Sequence, residues 1–252
     1  MITIIGADNK EMTGINAANV MTEVIKNNPK AVLGLATGSS PIEMYNELAR
    51  RNQNGEISFK EIKSVNLDEY VGLAPEHDQS YAYFMRTNLF DKVDIDLANT
   101  NLPDGLAKDP KEECKRYDAV VASMGGIDVQ VLGIGLNGHI GFNEPSDNFT
   151  EGTGLVDLTE STIDANSRFF ANRSDVPTQA FSMGVGQIMS AKKILLIATG
   201  EAKADILEAA LFGEVTPRVP ASILQNANDV VICADRAALK IILQKHPESV
   251  TF

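Results

Sequence analysis

Ile127-Asp-Val-Gln-Val-Leu132, followed without a break by Gly133-Ile-Gly-Leu-Asn-Gly-His-Ile-Gly-Phe-Asn-Glu-Pro145, decides how the rest of the chain is read. The first six residues form a short apolar, β-rich run. The next thirteen hold four glycines, two asparagines, one histidine and one glutamate. An ordinary connection needs one or two turn residues. This loop places two side chains able to move protons, His139 and Glu144, on a backbone that glycine lets come close to a ligand. A strand ending in such a loop points to an α/β sheet with its chemistry at the strand's carboxyl end. The spacing Gly133-x-Gly135-x-x-Gly138, with Asp157 further on, also matches a dinucleotide fingerprint. That motif requires a helix opening at the glycines to hold pyrophosphate. Here another glycine and a proline follow, with no apolar stripe at helical spacing, so the dinucleotide reading is set aside.

Outward from this stretch, β-rich runs alternate with amphipathic ones. Strands are predicted at Ile2–Ile5, Ala31–Leu35, Ile62–Leu67, Ile127–Leu132, Lys193–Ala198 and Asp229–Ala234. Helices are predicted near Lys10–Asn27, Pro41–Asn52, Ser80–Leu89, Lys111–Ser123, Ala202–Leu211 and Arg236–Gln244. The alternation predicts an α/β fold, a mostly parallel sheet with helices on both faces. No repeat or low-complexity linker divides the chain, so residues 1–252 are read as a single domain.

Composition narrows the function classes. The chain carries 44% hydrophobic and 22% charged residues, enough to bury a sizeable core. The net charge of −12 comes without any run of lysines or arginines, which argues against a nucleic-acid partner. Cys114 and Cys233 lie far apart without ligand spacing and read as reduced thiols. No apolar stretch approaches membrane-spanning length and the first residues read as a strand rather than a signal peptide. The expected setting is cytoplasmic, with no membrane partner.

Four further segments carry candidate site residues. Ala36-Thr-Gly-Ser-Ser-Pro-Ile-Glu43 follows the second strand. Ser40 as N-cap, Pro41 at the first helical position and Glu43 closing a capping box would make an ordinary helix start. Thr37, Gly38, Ser39 and Ser40 also offer hydroxyls and free backbone N–H groups at a helix N-terminus, an anion site. No Gly-Lys-Ser/Thr follows, which disfavours nucleoside triphosphates and leaves a sugar phosphate or another small phosphate. Asn66-Leu-Asp-Glu-Tyr-Val-Gly72 closes the third strand. Adjacent carboxylates there are often solvated turn residues. The functional alternative has Asp68 projecting into a pocket as a general base while Glu69 points away. Arg168, in Asn166-Ser-Arg-Phe-Phe170, and Lys203, in Thr199-Gly-Glu-Ala-Lys-Ala204, are either surface charges or a phosphate clamp. His77 and His246 lie in polar surroundings and read as surface. A metal on Asp68, His139 and Glu144 lacks paired His or Cys spacing, and none is expected.

Taken together, Leu35-Ala-Thr-Gly-Ser-Ser-Pro41, Asn66-Leu-Asp-Glu-Tyr-Val-Gly-Leu73, Gly135-Leu-Asn-Gly-His-Ile-Gly-Phe-Asn-Glu-Pro145 and Asn166-Ser-Arg-Phe-Phe170 resemble the glucosamine-6-phosphate deaminase (isomerase) family, in order and spacing. The resemblance covers essentially the whole chain. It implies a Rossmann-like fold and conversion of glucosamine 6-phosphate and water to fructose 6-phosphate and ammonia without a cofactor. It further implies Asp68 as the enolisation base, and His139 in ring opening with Asn137 and Glu144 orienting it. Ser39, Ser40, Arg168 and Lys203 would hold the phosphate, and residues 155–176 would form a lid. Two departures stand out. Asn137 occupies a position where many members carry aspartate, so it can orient His139 but not act as a base. Gly154 and Val156 stand where effector-activated members carry arginine and lysine, so no activation by N-acetylglucosamine 6-phosphate is expected. A lactonase on a phosphorylated sugar acid and a non-catalytic sugar-phosphate sensor are the alternatives. Whether the chain is a monomer or a homo-oligomer stays open.

Overall fold

The computed structural model describes residues 1–167 and 170–252, less the side chains of residues 161, 165 and 166. Its elements run β1 (Ile2–Ala7), α1 (Lys10–Asn27), β2 (Val32–Leu35), α2 (Ile42–Gln53), β3 (Lys63–Asn66), β4 (Asp68–Tyr70) and α3 (Tyr81–Asn88). Then come β5 (Thr100–Asn101), α4 (Pro110–Ser123), β6 (Val129–Leu132), β7 (Gly154–Asp157), α5 (Glu160–Ser167), β8 (Gln179–Ser182) and α6 (Val185–Met189). The chain closes with β9 (Lys193–Ala198), α7 (Ala204–Phe212), β10 (Val230–Asp235), α8 (Lys240–Lys245) and β11 (Val250–Thr251).

Eight strands form one sheet in the order β11-β1-β10-β9-β6-β2-β3-β5, every pair parallel. The inner strands β2, β6 and β10 are buried along their whole length, as strands covered on both faces must be. Helices flank the sheet, α1 packing on α2 and α7 on α8. Local chemistry sets their starts. Asn9 caps α1 by accepting from Met12 N at 2.9 Å, and Asp109 caps α4 ahead of Pro110.

The chain order within the sheet locates the site. From β2 the chain moves outward to β3 and β5, and from β6 it moves the opposite way to β9 and β10. β2 and β6 are neighbours, so their carboxyl ends flank the switch point, where a crevice opens in sheets of this kind. Close packing across this pair requires a glycine. A Cβ on Gly34 would lie 2.1 Å from Oε1 of the buried Gln130, an overlap of the sort that costs about 1–3 kcal/mol.

A second, three-stranded antiparallel sheet, β4-β8-β7, was not expected from the pattern. Its strands are only three or four residues long and too short for an alternation to register. The first part of the anticipated lid is β7 of this sheet. The segment continues as α5 and a 3-10 turn at Arg173–Asp175, over a small core of Tyr70, Leu158, Ile163, Val176 and Ala180.

Three expectations need correction. The Ser40 capping box does not form: α2 begins at Ile42 with Pro41 at the cap position and no side-chain cap bond. The last helix spans Lys240–Lys245 rather than starting at Arg236, because Asp235 draws the intervening residues into a turn through Ala238 N at 2.8 Å. His246 is half-buried, stacked on Phe212 with ring centres 3.9 Å apart, rather than a free surface residue.

Candidate active site

The loops after β2, β3, β6 and β9 emerge from four consecutive strands and meet in one cleft of about 520 Å³. Thr37, Gly38, Ser39, Ser40, Asp68, Asn137, His139, Glu144 and Lys203 all line it. Arg168 lies outside the described residues. Short distances tie the loops together. A methyl group built on Gly133 would lie 3.3 Å from Ser40 Oγ, and one on Gly141 would lie 3.9 Å from Asp68 Oδ2. Lys203 Nζ donates to Ile134 O at 2.6 Å.

Asp68 is the first residue of β4, where the chain leaves the parallel sheet and enters the antiparallel one. Met183 N donates to Leu67 O at 2.8 Å and Leu67 N to Leu35 O at 3.0 Å, which pins the crossing on both sides. The pleat of β4 then sends successive side chains to opposite faces. Asp68 faces the cleft. Glu69 turns inward and accepts from Tyr70 N, Tyr81 N and Ala82 N at 2.8–2.9 Å, holding the start of α3. Solvated turn carboxylates are therefore the wrong description, since Asp68 is 7% exposed and Glu69 3%.

Their electrostatics follow from that placement. Burial, and after it the neighbouring Glu69 carboxylate, push the Asp68 carboxyl up to about 8. No described residue donates a hydrogen bond to it. Burial also raises Glu69, to about 7, and outweighs the three backbone donors that favour its charged form. Asp68 thus has the properties of a general base: largely buried, accepting no hydrogen bond from any described residue, and facing the cleft.

The same cleft holds a second proton-handling group. His139 Nδ1 lies 3.3 Å from Glu144 Oε1, an ion-pair approach that lacks hydrogen-bond alignment. Asn137 Nδ2 donates to Glu144 Oε2 at 2.5 Å, and its Oδ1 accepts from His139 N at 3.1 Å. The His139 imidazole, more than any other neighbour, holds the Glu144 carboxyl below the usual carboxylate range; partial burial opposes it, and Asn137 and Thr162 add to it. Gly135 makes room for the couple, because a Cβ there would lie 2.3–2.5 Å from the His139 ring.

Lys203 also lines the cleft, at the end of the 3-10 turn Glu201–Lys203 ahead of α7. Burial lowers its pKa. Both oxygens of Asp235 accept from Gly200 N, at 3.0 and 3.1 Å, fixing the turn that presents the lysine. With Ser40 released from capping, the Thr37–Ser40 hydroxyls and N–H groups share the cleft with this ammonium, which is the equipment of a phosphate site.

Sequence reading missed Tyr81, Phe142 and Thr162, which also line the cleft. Tyr81 stacks nearly parallel to Phe142, ring centres 6.3 Å apart, and Thr162 Oγ1 lies 3.5 Å from Glu144 Oε1. Their sequence signal was that of ordinary helix and core residues. Among the described residues no group of three or more histidines, cysteines and carboxylates could hold a metal ion. Among the described residues no helix is long and apolar enough to cross a membrane.

A switch-point cleft lined by the Thr37–Ser40 loop, Lys203, Asp68 and the His139–Glu144 couple is the arrangement a sugar-phosphate enzyme of the α/β class requires. Residues 11–233 match the model of glucosamine-6-phosphate isomerases and 6-phosphogluconolactonases, and the chain belongs to that family. A glucosamine-6-phosphate deaminase of Clostridium perfringens (strain SM101 / Type A) is 52% identical over 242 residues, 96% of this chain and 100% of that protein. One from Lachnoclostridium phytofermentans is 56% identical over 218 residues, 86% of this chain and 92% of its own. Among solved structures, a monomeric glucosamine-6-phosphate deaminase superposes with a TM-score of 0.92 at 40% identity, covering 95% of this chain and 99% of that one. The 6-phosphogluconolactonase of Trypanosoma brucei superposes at 0.76 with 17% identity, over 96% and 99% of the two chains, which is a likeness of fold.

The raised Asp68 pKa has a consequence for stability. Between the ordinary value of 3.8 and about 8, the folded protein holds a proton that the unfolded chain releases. Stability contributed by this group is therefore lost as pH rises through that window. Asp68→Asn is expected to be more stable than the native protein, by a margin that widens from pH 4 to pH 8 in urea unfolding. A pH-independent margin, or a less stable variant, would contradict the burial of this charge.

Proposed function

We propose that this cleft isomerises and deaminates glucosamine 6-phosphate, yielding fructose 6-phosphate and ammonia, with Asp68 as the base. The observation that carries the reading is the buried carboxylate of Asp68, to which no described residue donates a hydrogen bond, facing the same cleft as the Thr37–Ser40 loop and the His139–Glu144 couple. The two deaminases at 52% and 56% identity support the choice of an amino-sugar phosphate.

The chemistry divides between the two sides of the cleft. The phosphate rests on Thr37, Gly38, Ser39, Ser40 and Lys203, with Arg168 as a further partner in this proposal. That remote binding fixes where the sugar carbons lie. His139, oriented by Glu144 and Asn137, moves a proton between the ring oxygens and opens the pyranose to its aldehyde. An imidazole suits this step because it donates and accepts near neutral pH. Asn137 serves by position alone, since an amide exchanges no proton as a base.

In the open chain the C1 aldehyde acidifies the proton on C2. Asp68 removes it, the electron pair forms the C1–C2 double bond, and the C1=O π pair moves onto O1, which takes up a proton to give an enolamine. The same carboxyl returns the proton to C1 as the nitrogen's electron pair forms the C2=N bond. An N–H proton is released, offsetting the one taken up at O1, which leaves an imine at C2. Water adds to C2, the C–N bond breaks, and ammonia leaves with the proton that water supplies. One carboxylate serves both ends of this transfer because C1 and C2 are neighbours.

Two measurements test the reading. Purified protein given glucosamine 6-phosphate is expected to release ammonia and fructose 6-phosphate in equal amounts. Asp68→Asn is expected to lower kcat by about 10²–10⁴-fold or more while still binding substrate. Turnover retained in that variant would remove the proposed base. Separately, Gly154 and Val156 offer no cationic side chain for an effector phosphate, so saturation should be hyperbolic. Adding N-acetylglucosamine 6-phosphate should leave the half-saturation point unmoved, and a substantial drop on its addition would show the enzyme to be regulated.

A further inference from the structure

Two fully buried tyrosines, one on α2 and one on α4, make the same unusual contact beneath the cleft. The Tyr45 hydroxyl donates to Ala36 O at 2.7 Å and accepts from Ala36 N at 3.3 Å. The Tyr117 hydroxyl donates to Asn66 O at 2.6 Å and accepts from Asn66 N at 2.9 Å. Each phenol therefore satisfies both backbone groups of one residue, as a neighbouring strand would.

The positions so held are not arbitrary. Ala36 directly follows β2 and precedes Thr37 of the anion loop. Asn66 is the last residue of β3 and stands two residues before Asp68. At Asn66 the ladder on that side has run out, since β5 pairs only with Ser64 and Val65. Tyr117 also reaches Asn101 O at 3.3 Å, bridging from the end of β5. At Ala36 the bond back from Tyr45 closes the whole loop that lines the phosphate end of the cleft.

We propose that Tyr45 and Tyr117 are positioning residues with separate duties: Tyr45 sets the anion loop that holds the phosphate, and Tyr117 sets the strand end that aims Asp68 at the reacting carbons. Neither touches the substrate, because both are sealed below the cleft floor. The proposal rests on the functional reading above and extends it to two residues outside the cleft. Its physical basis is that removing either hydroxyl takes a hydrogen-bond partner from the backbone at a strand end, loosening that end. A shift at Ala36 is felt by phosphate binding, and a shift at Asn66 by proton transfer.

The test is the split between binding and turnover in Tyr45→Phe and Tyr117→Phe, which keep the ring and its volume. Steady-state kinetics with glucosamine 6-phosphate would be paired with inhibition by inorganic phosphate. Tyr45→Phe is expected to raise KM and weaken phosphate inhibition, each by about tenfold, with kcat within about twofold of the native value. Tyr117→Phe is expected to lower kcat by about tenfold to a hundredfold, as misplacement of a catalytic group does, with phosphate inhibition within about twofold. Both variants changing both quantities together, or neither changing either, would overturn the proposal. Should a phenylalanine variant not fold, 3-fluorotyrosine at the same position keeps the ring and hydroxyl but weakens its acceptor. The same split in smaller size is then expected, and its absence overturns the proposal. A native protein inert toward glucosamine 6-phosphate would instead overturn the functional reading. Phosphate affinity, lost in Tyr45→Phe and kept in Tyr117→Phe, would still decide the roles of the tyrosines.

Discussion

A buried carboxylate at the cleft, to which no described residue donates a hydrogen bond, is the constraint around which this molecule is arranged. Asp68 stands where the chain passes directly from β3 of the parallel sheet into β4 of the antiparallel one. A buried charge without compensation is costly, and burial answers by raising its proton affinity. The neighbouring Glu69 is equally buried but spends its oxygens on three backbone N–H groups. Two adjacent acids thus face opposite ways, one onto backbone N–H groups and one into the cleft, because a strand's pleat separates them.

The site needs the sheet order as much as the residues. The switch between β2 and β6 opens the crevice, and the flanking β3 and β9 bring in Asp68 and Lys203. Three of the four incoming loops are anchored from behind by a buried polar group. Tyr45 holds the loop after β2, Tyr117 the end of β3 and Asp235 the turn after β9. The loop after β6 is tied across the cleft, through Lys203 to Ile134 O. Such anchoring keeps flexible, glycine-rich connections in a single geometry, which proximity catalysis requires.

Much of this was legible in the sequence, for identifiable reasons. The buried strands read clearly because apolar runs such as Lys193–Ala198 have no competing interpretation. The loops declared themselves because glycine, hydroxyl and acid clusters are poor choices for an ordinary turn. All the described residues singled out as a site do line one cleft. What stayed hidden was set by contacts distant in sequence. The small sheet depends on β4 meeting β8, more than 100 residues later in the chain, and its strands are too short to show a period. Ser40 looked like a helix cap because local pattern cannot show that Pro41 would take that position. Tyr45 and Tyr117 sit on helix faces where an aromatic reads as core, and only the coordinates reveal what their hydroxyls reach.

The most direct test of the central claim is a crystal structure with an open-chain amino-alditol 6-phosphate bound. The expected result places the Asp68 carboxylate within about 3.5 Å of C1 and C2, in reach of both. The phosphate should then lie against Thr37–Ser40 and the Lys203 ammonium, with His139 toward the oxygen that closes the ring. A ligand whose first two carbons lie against Glu144, or whose phosphate occupies the Asp68 end, would contradict the assignment of the base.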